Sequence, residues 1–300
     1  MHWREAQETW LMALKAEGRS TATLDGYRGH LAHFNRFLEA EGISDIAELT
    51  PFPLRRFLVE YGRGRSPHTV RGVYGNIRSW LRWLVSEGIM KASPTDKVKE
   101  PKAPEATKKV YTTGELAAIK KYLEKGKTPL ALRDCALVLV LMDTGARCSE
   151  LLAATLDDLQ DGGILLRQTK GKRPRIVPLG RESERALWRY IQRGRPKLHP
   201  RGKEIFVSDN GRPMTRNAVR CMLKRLGEAL GFPVSAHRFR HTWATMMLRK
   251  GADMEALRKM GGWSDYAMLK TYAHLDTADL KRMQERFSVV DGLWEVVPIS

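Results

Sequence analysis

Through most of the first hundred residues an apolar side chain returns at every third or fourth position, the spacing that gathers such residues on one face of a helix. In "TATLDGYRGHLAHFNRFLEAEG" the stripe is Leu24, Tyr27, Leu31, Phe34 and Phe37 with Leu38, and Gly42 ends it. In "SPHTVRGVYGNIRSWLRWLVSEG" it is Val73, Ile77, Trp80, Leu81 and Leu84, with Ser66 as N-cap and Pro67 as the first helical residue. Arg71, Arg78 and Arg82 share the opposite side of this second helix, where they either meet phosphates or keep the surface solvated.

The periodicity lapses in "KASPTDKVKEPKAPEATKK", residues 91–109, where prolines and lysines leave almost no large apolar side chain. An extended basic linker is predicted there. Beyond it helical spacing resumes, except in "GGILLRQTKGKRPRIVPLG", where two short runs of Ile, Leu and Val flank Lys170-Gly171-Lys172 as in a hairpin with a basic tip. Another turn at Asn210-Gly211 precedes a helix that Thr215 caps and Gly231 ends. The expected fold is mainly α with a small antiparallel β-hairpin or sheet in the C-terminal half. It has a helical domain at 1–90, the linker at 91–109, and a second domain at 110–300 with a tail from about 284. The tail's Val289, Val290, Leu293, Trp294 and Val297 either cover their own domain or pack on a neighbour.

Charge narrows the choice of partner. The 300 residues carry 52 Lys and Arg against 34 Asp and Glu, a formal net charge of +18. The first hundred hold 15 basic and 12 acidic residues and the remainder 37 and 22, so the excess is concentrated after the first domain. A polyanion is the expected partner. Cys135, Cys148 and Cys221 are far apart and form no C-x-x-C pair, which argues against a disulfide framework and a structural zinc site. No uninterrupted apolar run suits a signal peptide or approaches the ~20 residues of a membrane span, and a cytoplasmic, nucleoid-associated protein without membrane contact is expected.

Three stretches carry candidate chemistry. In "SAHRFRHTWATMM" a helix starting after Ser235 collects Phe239, Trp243, Met246 and Met247 on one side. Arg240 then lies at the border of that stripe, partly buried, while Arg238 points away from it. His237 sits one turn before Arg240, where first-turn N–H groups and the helix dipole favour an anion. A phosphate would satisfy all of them; a core-edge arginine paired with a carboxylate is the alternative. In "LVLVLMDTGARCSELLAA" an apolar helix breaks at Thr144-Gly145, Arg147 enters the next helix, and Glu150 follows on the same face, either to orient Arg147 or to brace the His237 helix. Two arginines entering at helix starts suit the non-bridging oxygens of a phosphodiester in fork geometry. In "KMGGWSDYAMLKTYAHL" two glycines break a helix before Trp263, and tyrosines follow at 266 and 272.

Taken together, TGAR-x-x-E, a lysine at a hairpin tip, H-x-x-R at a helix start and a Gly-rich turn followed by tyrosine resemble, in order and spacing, the tyrosine recombinases of the phage integrase family. The resemblance covers nearly the whole chain and implies a helical core-binding domain ahead of a catalytic domain. It places the family's first arginine on Arg147, its acidic companion on Glu150, its hairpin lysine on Lys170, its H-x-x-R pair on His237 and Arg240, and its nucleophile on Tyr272. Lys172 and Arg173, beside the tip, join Arg71, Arg78 and Arg82 as candidate DNA contacts. Where most members, the Xer proteins among them, have histidine nine residues before the nucleophile, this chain has Trp263, as the Cre and Flp recombinases do. An indole N–H can donate to a phosphate oxygen but exchanges no proton, so acid–base duty shifts to His237 and Lys170.

The implied reaction proceeds through a 3′-phosphotyrosyl bond that conserves the energy of the broken linkage, so no cofactor, ATP or metal is expected. The chain agrees in having no G-x-x-x-x-G-K loop and no H-E-x-x-H. The implied partners are double-stranded DNA and, on paired sites, further copies in a tetramer; accessory proteins are not legible. A type IB topoisomerase and a DNA-binding regulator without catalysis are the alternatives. The added helical domain and the wording TGARCSEL favour a recombinase, and a competent residue at every catalytic position opposes the regulator.

Overall fold

The computed structural model describes residues 1–104, 109–167 and 174–266. The chain divides into two compact units, Met1–Ala106 and Thr107–Ser300.

The first unit holds four helices, α1 (Trp3–Ala16), α2 (Thr21–Ala40), α3 (Pro51–Gly62) and α4 (Pro67–Ser86). The expected stripes are its buried faces: Leu31, Phe34 and Leu38 of α2 meet Val73, Ile77, Trp80 and Leu84 of α4 in one core. Phe34 packs its ring edge-on against Phe57, with centroids 4.9 Å apart, and against Trp80 at 6.5 Å. Ser20 and Ser66 cap α2 and α4 by accepting the N–H groups of Thr23 and Thr69.

The segment expected to run as an extended linker from residue 91 begins instead as part of this unit. Ser93 and Thr95 are buried and Val98 joins the core. Ser93 caps a 3-10 turn at Pro94–Lys97, and Tyr74 Oη donates to the Val98 carbonyl at 2.8 Å. A single valine among prolines and lysines carries no periodicity, which is why the pattern stops at residue 90 while the packing runs on. On the outer face of α4, Arg71 and Arg78 both donate to the Glu100 carboxylate, at 2.5 and 3.2 Å, and Arg82 is exposed.

The second unit contains α5 (Thr113–Glu124), α6 (Pro129–Thr144), α7 (Cys148–Leu152), α8 (Arg181–Arg189), α9 (Arg216–Leu230), α10 (Ala236–Arg249) and α11 (Met254–Gly261). From Cys135 to Met142 helix α6 carries only apolar side chains, and Ala136, Leu137, Val138, Val140 and Leu141 are all buried, so it runs through the centre of the unit. The expected hairpin is present as β2 (Gly163–Leu166) and β3 (Arg175–Pro178), paired antiparallel from Gly163 opposite Pro178 to Leu166 opposite Arg175. A further strand, β1 (Leu159–Gln160), pairs antiparallel with β2 and gives the order β1-β2-β3. Two residues are too short a run for alternation to announce. The hairpin tip with Lys170, Lys172 and Arg173 lies outside the described residues, as do Tyr272 and the tail.

Candidate active site

Helix α6 ends on Gly145, whose φ of +58° is left-handed. A Cβ there would run into the ring of Trp243, so the Thr144-Gly145 break is set by close packing as well as by backbone freedom. Two residues later Arg147 forms the N-cap of α7, with its side chain 29% exposed. Glu150, at the third position of α7, is almost wholly buried and turns back: its Oε2 accepts the Arg147 backbone N–H at 3.1 Å and its Oε1 accepts Arg147 Nη1 at 3.0 Å. Of the two partners expected for Glu150, Arg147 is the one these hydrogen bonds reach. Burial pushes the Glu150 carboxyl upward, but hydrogen bonds and charge from Arg175, with the Arg147 backbone and side chain, outweigh it and hold the group below the usual carboxylate range.

Helix α10 begins at Ser235, whose Oγ accepts the Arg238 N–H. Arg240 is 5% exposed, as the helical projection expects. It is held by two carbonyls from separate elements, Gly145 at 2.7 Å and Gly261 at 2.6 Å, and its guanidinium lies 4.3 Å over the Trp263 ring. Trp263 is itself buried and stacks on Trp243 at 6.0 Å. His237 is exposed at the head of the helix, and its Nε2 lies 2.6 Å from Nε2 of buried His241 one turn on, so that one ring donates and the other accepts. Arg238, which the helical projection turns away from the apolar stripe, lies 3.9 Å over the ring of Tyr111 and pairs with Glu115 at 2.9 Å. With Tyr111 Oη accepting the Ser235 N–H at 2.9 Å, this contact ties the start of α10 to the chain just ahead of α5.

These elements enclose a cleft of about 900 Å³. Arg147, His237 and Arg240 line it together with Arg216, Asn217 and Arg220 of α9. The side chains that sequence spacing placed at two distant helix starts therefore converge, and the first turn of α10 adds N–H groups and the positive end of its dipole to the same space. Among the described residues the lining brings four arginines, Arg147, Arg216, Arg220 and Arg240, to this space, and the imidazole of His237 adds a group that can donate or accept a hydrogen bond. Trp263 is brought to the site as the platform under Arg240.

Sequence spacing missed several contributors. Arg216 and Arg220 stand on the polar face of α9, where basic residues read as ordinary solvation. His241 is hidden because a buried histidine on an apolar face is usually packing. Arg175 was missed for a sharper reason: on β3 it alternates with exposed Ile176 and shares the inner side with buried Val177. An arginine at an inward strand position requires a buried counter-charge, and that requirement was the available signal.

Residues 109–279 match the phage integrase family, and residues 8–88 match the N-terminal SAM-like domain of phage integrases. The chain belongs to the phage integrase family. Among tyrosine recombinases, it is 32% identical to XerC of Xanthomonas campestris over 93% of this chain and 87% of that protein. It is 29% identical to XerD of Listeria monocytogenes over 90% and 93% respectively. In fold it is similar to a lambda integrase tetramer bound to a Holliday junction, with a TM-score of 0.73 and 18% identity over 92% of this chain and 80% of that one. Both the mainly helical two-domain architecture and the assignment to the tyrosine recombinases follow, and the type IB topoisomerase alternative draws nothing from these relatives.

Proposed function

We propose that this integrase-family chain breaks and rejoins double-stranded DNA at specific sites, with the scissile phosphate in the cleft between α7, α9 and α10 and Tyr272 as the attacking group. The observation that carries this is convergence: Arg147 and Arg240 reach one cleft and both anchor on the Gly261-Gly262 turn, which ends ten residues ahead of the tyrosine. Tyr272 Oη bonds to phosphorus as the bond from phosphorus to the 5′ oxygen breaks. His237 takes the phenol proton, Lys170 gives one to the departing oxygen, and attack by a 5′ hydroxyl from another strand reverses the step. Arg147 and Arg240 stabilise the charge that gathers on the phosphorane. Acting on DNA places the protein at the nucleoid; no helix among the described residues is long and apolar enough to cross a membrane.

The test begins with covalent capture of a random-sequence duplex library by the wild-type protein, which recovers the site, and continues with two duplexes that carry it. Capture followed by exchange of strands between the duplexes is expected. Capture without exchange contradicts recombination, and no capture contradicts the enzyme.

Affinity for the recovered site is expected to fall steeply with salt, because each phosphate neutralised by a lysine or arginine releases a counterion. Ten such contacts, drawn from Arg71, Arg78, Arg82, Lys172 and Arg173 among others, give a slope of log affinity against log salt of about −9. A nearly flat slope in a binding titration contradicts extended backbone contact.

Assembly on paired sites is expected to take four copies, with the apolar tail packed on a neighbouring protomer through Val289, Val290, Leu293 and Trp294. Deleting residues 288–300 then leaves the melting curve and half-site binding intact and abolishes cooperative filling of a two-site duplex. A truncated protein that unfolds, or that still fills both sites cooperatively, makes the tail part of its own domain.

A further inference from the structure

The last four carbonyls of a helix have no partner within it. At the end of α11 two of them are closed conventionally, with Lys259 accepting from the Gly262 N–H and Arg258 from the Trp263 N–H, each at 3.1 Å. From Met260 on the partners are guanidinium groups. The Met260 carbonyl accepts Arg175 Nε at 2.8 Å, Gly261 accepts Arg240 Nη2 at 2.6 Å, and Gly262 accepts both Nη atoms of Arg147 at 3.4 Å. Three successive carbonyls thus seat three arginines, two of which reach the cleft. The third does not: the Arg175 side chain is 11% exposed and does not line the cleft.

Arg175 instead turns its Nη edge on Glu150, with Nη2 to Oε2 at 2.7 Å and Nη1 to Oε1 at 3.3 Å. Arg147 meets the same carboxylate at Oε1. The charge count of this trio matters. Glu150 alone would neutralise Arg147 and offer it a two-pronged partner in place of a phosphate. With Arg175 taking the forked hydrogen bond from the buried side, the Arg147 guanidinium keeps a single bond to Glu150, and the trio carries net charge +1 at its cleft end. Gly262 makes room for this arrangement: its φ is +63°, and a Cβ there would lie 2.7 Å from Arg175 Nη1 and 2.8 Å from Cζ.

We propose that Arg175 is a positioning residue for DNA cleavage, which by engaging Glu150 and the Met260 carbonyl holds Arg147 in register with Arg240 and leaves its charge available to the phosphate. This rests on the cleavage reaction proposed above. A lysine at 175 supplies the charge but cannot make the fork to Glu150 and reach Met260 together.

The test measures single-turnover cleavage of a nicked suicide duplex bearing the recovered site, at saturating protein, for Arg175→Lys in the wild-type and the Arg147→Ala backgrounds. In the first, the rate is expected to fall at least about tenfold, with the dissociation constant and melting curve close to those of wild type. In the second, the same change should alter the residual rate less than about twofold, since its route of action is gone. Equal factors in both backgrounds, an unchanged rate, or a loss confined to affinity overturns the proposal. If Arg175→Lys melts below the assay temperature, the pair Glu150→Gln with Arg175→Gln, which removes both buried charges at once, is carried through the same two backgrounds. Failure of both designs to fold makes Arg175 a residue of the fold alone and overturns the proposal too. Wild-type protein on the same duplex separates the two readings: no adduct from it sinks the reaction, whereas an adduct with unaltered Arg175 variants sinks only the role of Arg175.

Discussion

Tyr272→Phe is expected to bind the recovered DNA site as the wild type does and to form no covalent adduct, a complete loss of the first chemical step. The family register places Tyr272 nine residues after Trp263, and the surroundings of Tyr266 do not favour loss of its proton. Tyr266 Oη donates to Glu255 Oε2 at 2.6 Å, and that hydrogen bond, followed by desolvation and the charge of Glu255, pushes the phenol above its ordinary pKa. A nucleophilic phenol needs the opposite, since attack on phosphorus requires loss of the proton. Tyr266→Phe should therefore keep its adduct. Denaturing gels after incubation with a suicide duplex read both variants. An adduct that survives Tyr272→Phe and vanishes with Tyr266→Phe reverses the assignment.

Arg147→Ala and Arg240→Ala are expected to slow cleavage by about a hundredfold or more each, because each removes donors aimed at charge that develops only in the transition state. Binding should weaken only modestly, since many other basic residues share the DNA contacts. The structure also separates the two variants. Arg240 is buried and closes the Gly145 and Gly261 carbonyls at 2.7 and 2.6 Å, so its loss strands two acceptors at about 1–3 kcal/mol each. Arg147 is more exposed and reaches its carbonyl at 3.4 Å, and without it Glu150 keeps Arg175. Arg240→Ala should melt several degrees lower than Arg147→Ala while both lose cleavage. Affinity and cleavage that decline in parallel would make these residues docking contacts.

How much of this was legible beforehand follows from what each signal depends on. The stripes through Phe34 and Trp80 and the Thr144-Gly145 break were legible because helical period and a left-handed glycine are local properties. Strand β1 and the packed stretch from Ser93 to Val98 were not, since two residues and one valine make no pattern. Two arginines entering at helix starts suggested a shared phosphate, and the family resemblance named Arg147 and Arg240 as the pair; their common seat on the Gly261-Gly262 turn depends on where a distant helix ends. Arg175 showed only as an inward strand arginine in need of a counter-charge, and its partner Glu150, twenty-five residues earlier, was not legible. The projection of α10 turned Arg238 away from the apolar stripe but held no sign of Tyr111, the aromatic surface that receives it, because that residue belongs to a separate segment.

The central claim is that a tyrosine in the segment after α11 takes the DNA strand through its 3′ phosphate. The direct measurement is mass spectrometry of the captured adduct after nuclease and trypsin. Trypsin cuts after Lys259, Lys270 and Lys281, so Tyr266 and Tyr272 fall in different peptides, 260–270 and 271–281. The account predicts a nucleotide joined by its 3′ phosphate to Tyr272 in the second peptide. A nucleotide on the first peptide, on another residue, or joined by a 5′ phosphate would contradict it.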